Sequence, residues 1–411
     1  MILRLRLLAV VLVIWAGSSR VMRADDAAAL AISRHIQQSH TPYGLLLDAI
    51  YTAPGSGQRI GYLGYGDAAL WTGLYVAAEA HRFAVTRSQE ALANARRSLA
   101  ALDKLSRISD HGLLARYFFP VTDPHVGFFL ENRAGTGFQQ TKLDGEAYYY
   151  VTRTTRDQFA GVFFGLGAAY DLIDEADVRE SCRAIATRVV TYLLEHDWHI
   201  DNADGSRYET FFHRPEQRLS ILQVAAHLNP GRFADEYQRH RRTNARFVWL
   251  GVLIDVFDDS AYYKFNLDHL YFYNLLRLEP GGSVEHAQYR KAYLRMREAV
   301  RDHRNAHFNM IDRALTGPER KRDAETVELL EQVPARGLRH RTVDSRGQYK
   351  ACGKERERAC DPLPITARVH TDFLWQRDPF ALYQDGDERI EHSGLDYVLP
   401  YWMARYYGVM K

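Results

Sequence analysis

A chain of 411 residues with 46% apolar and 12% aromatic content can bury a sizeable core in one large or two ordinary domains, which excludes an intrinsically disordered protein. Its 53 Lys and Arg against 51 Asp and Glu leave a formal charge of +2, so nothing calls for a nucleic-acid partner. The 25 tyrosines suit either helix interfaces or a wet, concave surface that stacks on flat faces such as sugar rings.

At the N-terminus, Arg4 and Arg6 precede an apolar run from Leu7 to Ala16 that is too short for a membrane span and is followed by small residues. This is the layout of a secretory signal peptide over residues 1–24, with cleavage after Ser18 or Ala24 and an uncleaved anchor as the alternative. The protein is therefore expected to be exported, periplasmic or secreted, with no stable membrane span once the signal is removed. Residues 25–411 read as a single domain.

Asp25 to Ser39 reads as a helix, and a Gly-, Tyr- and Pro-rich loop (Pro42 to Gly66) leads to an apolar helix headed by Asp67. Ser88 to Ile108 is amphipathic, with Leu92, Ala95, Leu99 and Leu102 on one side. An apolar helix followed by an amphipathic one predicts a hairpin whose first arm faces inward. The same plan recurs: Asp157–Leu172 with Asp174–His196, Pro215–Leu228 with Arg232–Val256, Asn266–Leu278 with Val284–His303, and His307–Leu315 with Arg320–Gln332. Asp396–Tyr407 is a last inner arm, free to pair with the N-terminal helix. Strand signals are confined to loops, as at His199–Thr210, where an Asp-Gly turn predicts a small hairpin. Six inner arms at irregular spacing disfavour a solenoid of fixed repeat and predict an all-α (α/α)6 toroid, with long loops at one mouth; an open helical array is the competing architecture.

Counting from Asp157 by threes and fours gives Gly161, Phe164, Gly165 and Ala168, a stripe of small residues that lets another helix approach closely. In a ring of inner helices Asp67 and Asp157 share one mouth, where two carboxylates can act as acid and base on a glycosidic bond. The competing reading makes each an ordinary helix cap, with Thr154-Thr155-Arg156-Asp157 as a capping box and the carboxyl held low by the helix dipole. Lys142, Arg153 and Arg156, interleaved with Tyr149 and its neighbours, suit an acidic sugar or are simply solvated charges. Tyr65, Trp71 and Gln158 complete the expected sugar contacts around this pair. A late stretch supplies His370 as a proton carrier, Asp372, Trp375 as a sugar platform and Arg377, the last alternatively paired with Asp378 as a loop brace. Asp268 and His269 on the fourth inner helix either face the cavity or are satisfied between packed helices.

Cys352 and Cys360 can close a short disulfide in an oxidising compartment, whereas Cys182 reads as an isolated buried thiol. No His pair at ligand spacing accompanies them, so neither metal nor cofactor is expected. Nucleophile elbows, Walker loops, Rossmann fingerprints and HExxH are missing, which leaves acid–base chemistry on a neutral or anionic substrate without a bound nucleotide; the partner expected from the toroid and its aromatic mouth is an oligo- or polysaccharide.

The residues Thr155-Arg156-Asp157-Gln158-Phe159-Ala160-Gly161 resemble the inner-helix motif of the six-hairpin glycosidase superfamily, in particular of unsaturated glucuronyl and rhamnogalacturonyl hydrolases. In those enzymes an Arg-Gly-Gln-Ala-Trp-Gly run opens a helix beside the catalytic Asp. Arg156, Gln158 and Gly161 match; Asp157 replaces a Gly, and Phe159 and Ala160 replace Ala-Trp. The closing stretch from Asp396 to Gly408 is similar to last helices of exported bacterial toroids. The resemblance implies a glycoside hydrolase on a uronic-acid-containing glycan. A polysaccharide lyase or uronyl epimerase using His370 or a Tyr, and a non-catalytic glycan-binding or scaffold protein, are the alternatives.

Overall fold

The structure is a computed structural model that describes residues 24–109, 112–132, 138–202, 204–257, 261–352 and 360–411. The expected signal peptide lies outside the described residues, apart from Ala24. The chain is mostly helical. In order, the helices are α1 (Ala24–His35), α2 (Ala68–Thr86), α3 (Gln89–Leu105), α4 (Val126–Asn132), α5 (Arg156–Leu172), α6 (Ala176–Glu195) and α7 (Pro215–Leu228). They continue as α8 (Pro230–Asn244), α9 (Val248–Phe257), α10 (Tyr263–Leu278), α11 (Val284–Val300), α12 (Ala306–Thr316), α13 (Arg320–Arg336) and α14 (Leu395–Tyr406).

The alternation of apolar and amphipathic arms is real. In α2, α5, α7 and α10 most residues on every side are buried, whereas α3, α8 and α11 bury one side. The buried arms touch in chain order: α2 packs on α5, α5 on α7, α7 on α10, α10 on α12, α12 on α14, and α14 returns to α2. The last arm also packs on α1, where Asp26 accepts a hydrogen bond from the Tyr401 hydroxyl (2.5 Å) and pairs with Arg405.

The tightest of these contacts is between α2 and α5, and glycine makes it possible. A Cβ on Gly73 would collide with the Gly161 carbonyl, one on Gly161 with the Leu70 carbonyl, and one on Gly165 with the Gly73 carbonyl. The two backbones thus touch directly over about one turn. Contacts advance together along both helices (Leu70 with Gly161, Gly73 with Gly165), so α2 and α5 run parallel and their N-termini lie at the same end.

Two expectations need correction. The aromatic stretch Tyr148–Tyr150, for which no strand was expected, is part of strand β5 (Glu146–Val151), which lies between β3 (Tyr117–Pro120) and β4 (Phe138–Leu143) in an antiparallel sheet. An aromatic run following the Asp144-Gly145 turn has hairpin chemistry, and its rings find partners in Phe118, Phe119 and Phe138. A second sheet is built from β1 (Asp48–Tyr51), β2 (Arg59–Leu63) and β10 (Ile390–Glu391), the last from the far end of the chain; β8 (Val343–Asp344) and β9 (Tyr383–Gln384) form a small pair. The expected hairpin is present as β6 (His199–Asp201) with β7 (Arg207–Thr210). The other correction is at Arg232–Val256, which is two helices, α8 and α9, separated by a 3₁₀ turn at Ala245–Phe247. Cys352 and Cys360 are bridged, and Cys182 is a buried free thiol. No helix among the described residues is long and apolar enough to cross a membrane.

The glycine contact yields a paired prediction. Gly161→Ala inserts a methyl against a backbone carbonyl and should destabilise the fold by about 1–3 kcal/mol in denaturant melts. Gly231→Ala, in the first turn of α8 with nothing near its missing Cβ, should be neutral or stabilising by up to about 1 kcal/mol. Equal effects of the two substitutions would contradict direct backbone contact.

Candidate active site: carboxylates at the heads of α2 and α5

Asp67 occupies the N-cap position of α2, and Asp157 is in the first turn of α5. Neither behaves as the cap that the sequence allowed. Asp67 makes no cap bond; instead the Leu70 amide in the first turn of α2 donates to the Gln158 side-chain oxygen of α5 at 3.1 Å. The other end of the same amide, Nε2, donates to the Gly66 carbonyl at 2.9 Å and to Asp67 Oδ1 at 3.2 Å. The capping box is also absent. Thr155 makes no cap bond and accepts from Arg116 (2.8 Å), while Thr154 bonds the Leu114 carbonyl. Fully buried Gln158 therefore does the capping for the neighbouring helix and ties Asp67 to the head of α5.

Asp157 is half-buried, and its carboxyl is pushed up to about 6, first by burial, then by the negative charges of Asp67 and Glu209; Arg156 and Arg116 offset part of this. Arg156 is itself engaged, with Nε 2.9 Å from Glu209 Oε1 and its carbonyl accepting from the Tyr271 hydroxyl at 2.9 Å. The sequence reading missed a third carboxylate, Asp48 of β1, which is pushed up to about 8 by burial and by Asp372, Asp396 and Asp67. Its sequence signal was a lone charge after three leucines in Leu45-Leu46-Leu47-Asp48. Asp396, at the head of α14, is buried; it pairs with Arg336 of α13 at 3.0 Å and accepts from the Leu374 amide at 3.0 Å. Asp48, Asp67, Asp157, Asp372 and Asp396 thus form one electrostatic neighbourhood around the heads of α2, α5 and α14.

A second group of acids gathers around the head of α7. Glu216 and Asp268 are buried with neither carboxylate oxygen hydrogen-bonded, and both are raised by burial, Glu216 to about 7. Arg214 pairs with Asp255 beside them. Of the expected site residues, Asp268 belongs to this group. His269 stacks on Phe308 (4.0 Å) and bonds the Phe265 carbonyl (2.6 Å), a core position.

Several expected contacts lie elsewhere. Lys142 is exposed at the far end of β4, opposite Ala147 and roughly 13 Å of strand from Val151, so it does not flank Asp157. Tyr149 lies against Phe119 in the sheet (5.3 Å between centroids). Arg153 is exposed, in a left-handed turn (φ 57°), and its charge acts on Asp204 of the β6–β7 turn. Tyr65 is core, bonded to the Tyr62 carbonyl and packed on Phe129 (4.6 Å). Trp71 packs edge-on against Phe373 (5.0 Å), which anchors the late segment to α2. Trp375 is completely buried against His307 (4.6 Å) and offers no open face as a sugar platform. Arg377 pairs with Asp372 (2.6 Å) rather than with its neighbour Asp378. His370 is fully buried; its Nδ1 donates to the Arg339 carbonyl (2.9 Å), and burial, then Arg336, pushes it down to about 3. A histidine so held is neutral at ordinary pH and a weak proton acceptor. Two surface hollows of about 410 and 670 Å³ lie on α11 and between α3 and the β3–β5 edge; neither is lined by Asp67 or Asp157.

None of the protein families, characterised proteins or solved structures compared with the chain matches it.

Because the folded-state value of Asp157 lies above its unfolded one, the folded chain holds this proton more tightly. The resulting stabilisation is full below about 4 and is lost as pH rises through about 6. Asp157→Asn removes the ionisable group, so its melting temperature relative to the wild type should increase between pH 4 and pH 8. A difference independent of pH would contradict the raised value. Gln158→Ala strips the cap of α2 and both donors to its N-terminal loop, and should cost about 1–3 kcal/mol in thermal or denaturant unfolding.

Proposed function

We propose that this chain is an exported glycoside hydrolase, built as an (α/α)6 toroid, in which Asp157 is the general acid and Asp67 the partner carboxylate. The observation that carries this reading is the pair itself: a half-buried Asp157 raised to about 6 beside Asp67, with Gln158 fixing their relation. Glycosidic bond cleavage asks for two carboxyls in different protonation states, one donating a proton to the leaving oxygen and the other ionised, as base towards water or as nucleophile. In this assignment Asp157 delivers the proton and Asp67 faces the developing positive charge of the sugar.

The toroid is supported by the order in which the buried helices touch, ending with α14 on α2. Export is supported by the Cys352–Cys360 bridge, since disulfides persist in oxidising compartments. The acidic-sugar expectation is weakened by local charge. Of the five aspartates that share the neighbourhood, only Asp372 and Asp396 are paired with arginine, Lys142 is distant and Arg156 is tied to Glu209. A sugar without a carboxylate at the cleavage point fits better, with any acidic unit met on the Arg116 and Arg153 side. A lyase or epimerase with His370 as its base is disfavoured, because that buried histidine, held near 3, is a poor proton acceptor; one with a Tyr base is the second reading, which the reaction products distinguish.

Incubation with a panel of neutral, amino and uronic polysaccharides tests the assignment by release of reducing ends. Asp67→Asn and Asp157→Asn should each lower kcat by about 10²–10⁴-fold on the cleaved glycan. The alkaline limb of the wild-type kcat/KM profile should fall near pH 6, following Asp157. Ultraviolet-absorbing unsaturated products would indicate a lyase instead, and binding without turnover that survives both substitutions would indicate a non-catalytic glycan receptor.

A further inference from the structure

Outside the carboxylate neighbourhood, a second cluster of donor groups sits where the chain's two ends meet. His35 is the last residue of α1, His40 ends the π-turn that follows (Ile36–His40), and Glu391 lies on β10, paired with Ala49 of β1. These residues are 356 positions apart in sequence at their extremes. Their donor atoms nevertheless all lie within 4.8 Å of one another. His35 Nε2 is 2.5 Å, and His40 Nε2 3.4 Å, from the same oxygen, Oε1 of Glu391.

We propose that His35, His40 and Glu391 form a binding site for a divalent transition metal of the zinc class, which clamps the end of α1 to the β1–β10 edge.

Several features of this cluster are those of a ligand set. His40 is completely buried, and its Nδ1 is 2.9 Å from the Leu47 carbonyl. A carbonyl only accepts, so Nδ1 carries a proton and Nε2 is the atom turned towards the cluster, 3.4 Å from Glu391 Oε1. A metal-binding imidazole is commonly oriented in this way, by its other nitrogen donating to a backbone carbonyl. The two rings meet edge to face (72°, centroids 5.2 Å apart), so both Nε2 atoms converge instead of stacking. Two imidazoles and one carboxylate form a borderline-soft set suited to zinc, with cobalt as its spectroscopic substitute.

Distances agree in part and show what must move. With metal–ligand bonds near 2.0–2.2 Å, tetrahedral donors are separated by roughly 3.4 Å. The His40–Glu391 separation of 3.4 Å already meets this, while the His35–Glu391 separation of 2.5 Å has to open by roughly 0.9 Å. The ring that has to swing is the right one, since His35 is about a third exposed and Glu391 and His40 are buried. The second Glu391 oxygen is 3.4 Å from Arg339, which leaves Oε1 as the donor. A direct hydrogen bond between His35 and Glu391 is the competing use of the same atoms, and it needs no metal. This inference does not depend on the hydrolase reading, because none of its ligands belongs to the Asp67–Asp157 pair.

The test uses the full mature chain without affinity tag, stripped with a chelator, dialysed, and titrated with Zn²⁺ and, separately, Co²⁺. The expected result is uptake of one equivalent per chain, a higher melting temperature with metal, and visible d–d absorption with cobalt. His35→Ala, at the most exposed of the three ligands, should retain the helical circular dichroism of the wild type and lose the metal-dependent shift; Glu391→Gln should do the same. Failure of the stripped wild type to take up stoichiometric metal overturns the proposal whatever the variants do. Uptake by folded His35→Ala equal to that of the wild type overturns it as well.

Discussion

The contact between α2 and α5 is the constraint on which the rest of the site depends. Gly73, Gly161 and Gly165 let two parallel helices touch through their backbones, and at that separation Gln158 reaches across to the first turn of α2. Both helix heads then have to emerge side by side, each carrying an aspartate. Net gains from single hydrogen bonds are only about 0.5–1.5 kcal/mol, so the geometry is set mainly by the absence of three side chains, and the buried amide adds register. Because one side-chain amide replaces the helix cap, the carboxylate at the N-cap position is directed to other partners than its own helix.

Around that seam and at the head of α7 the chain gathers buried acids, only some of which are paired with arginine. Asp48, Asp157 and Glu216 are all pushed up from the usual carboxylate range, chiefly by burial, and each feels at least one neighbouring acid. A fold selected for stability alone would replace such groups with apolar ones or pair them. Other buried acids are closely paired: Arg336 with Asp396, Arg214 with Asp255 and, at 3.8 Å, Glu216, and Arg82 with Glu79. Raised carboxyls with charge neighbours of the same sign mark candidate sites, whereas tightly paired ones brace the fold.

The segment between α13 and α14 has the second organising role. It contributes β10 to the sheet that begins with β1, places Phe373 against Trp71, and is held by Arg336, whose guanidinium bonds the Val369 and Asp372 carbonyls at 2.8 Å. The aromatic and ionisable residues that looked like a ligand-facing loop are thereby mostly committed to structure: Trp375 and His370 are buried and Arg377 is tied to Asp372. The same segment brings Glu391 to the two histidines at the end of α1, so the two ends of the chain are joined at the sheet edge as well as at α14.

The sequence by itself determined the helices and which arms are buried, because burial on all sides or on one side is written in the period of apolar residues. Pro215–Leu228 is observed with the boundaries expected of it, and the Gly161–Gly165 stripe announced the close helix contact. It also supplied Asp67 and Asp157, since an acid before an apolar run is a local pattern. Only the tertiary structure decided what those acids do, because Gln158, which takes over the cap, comes from another helix. Asp48, Glu216 and the strands at β1, β2 and β10 escaped for the same reason: a carboxyl's protonation depends on charges and burial contributed by distant segments, and a short strand is defined by its partner. Periodicity records how one segment meets the core, whereas a site is a meeting of several segments, which no single stretch encodes.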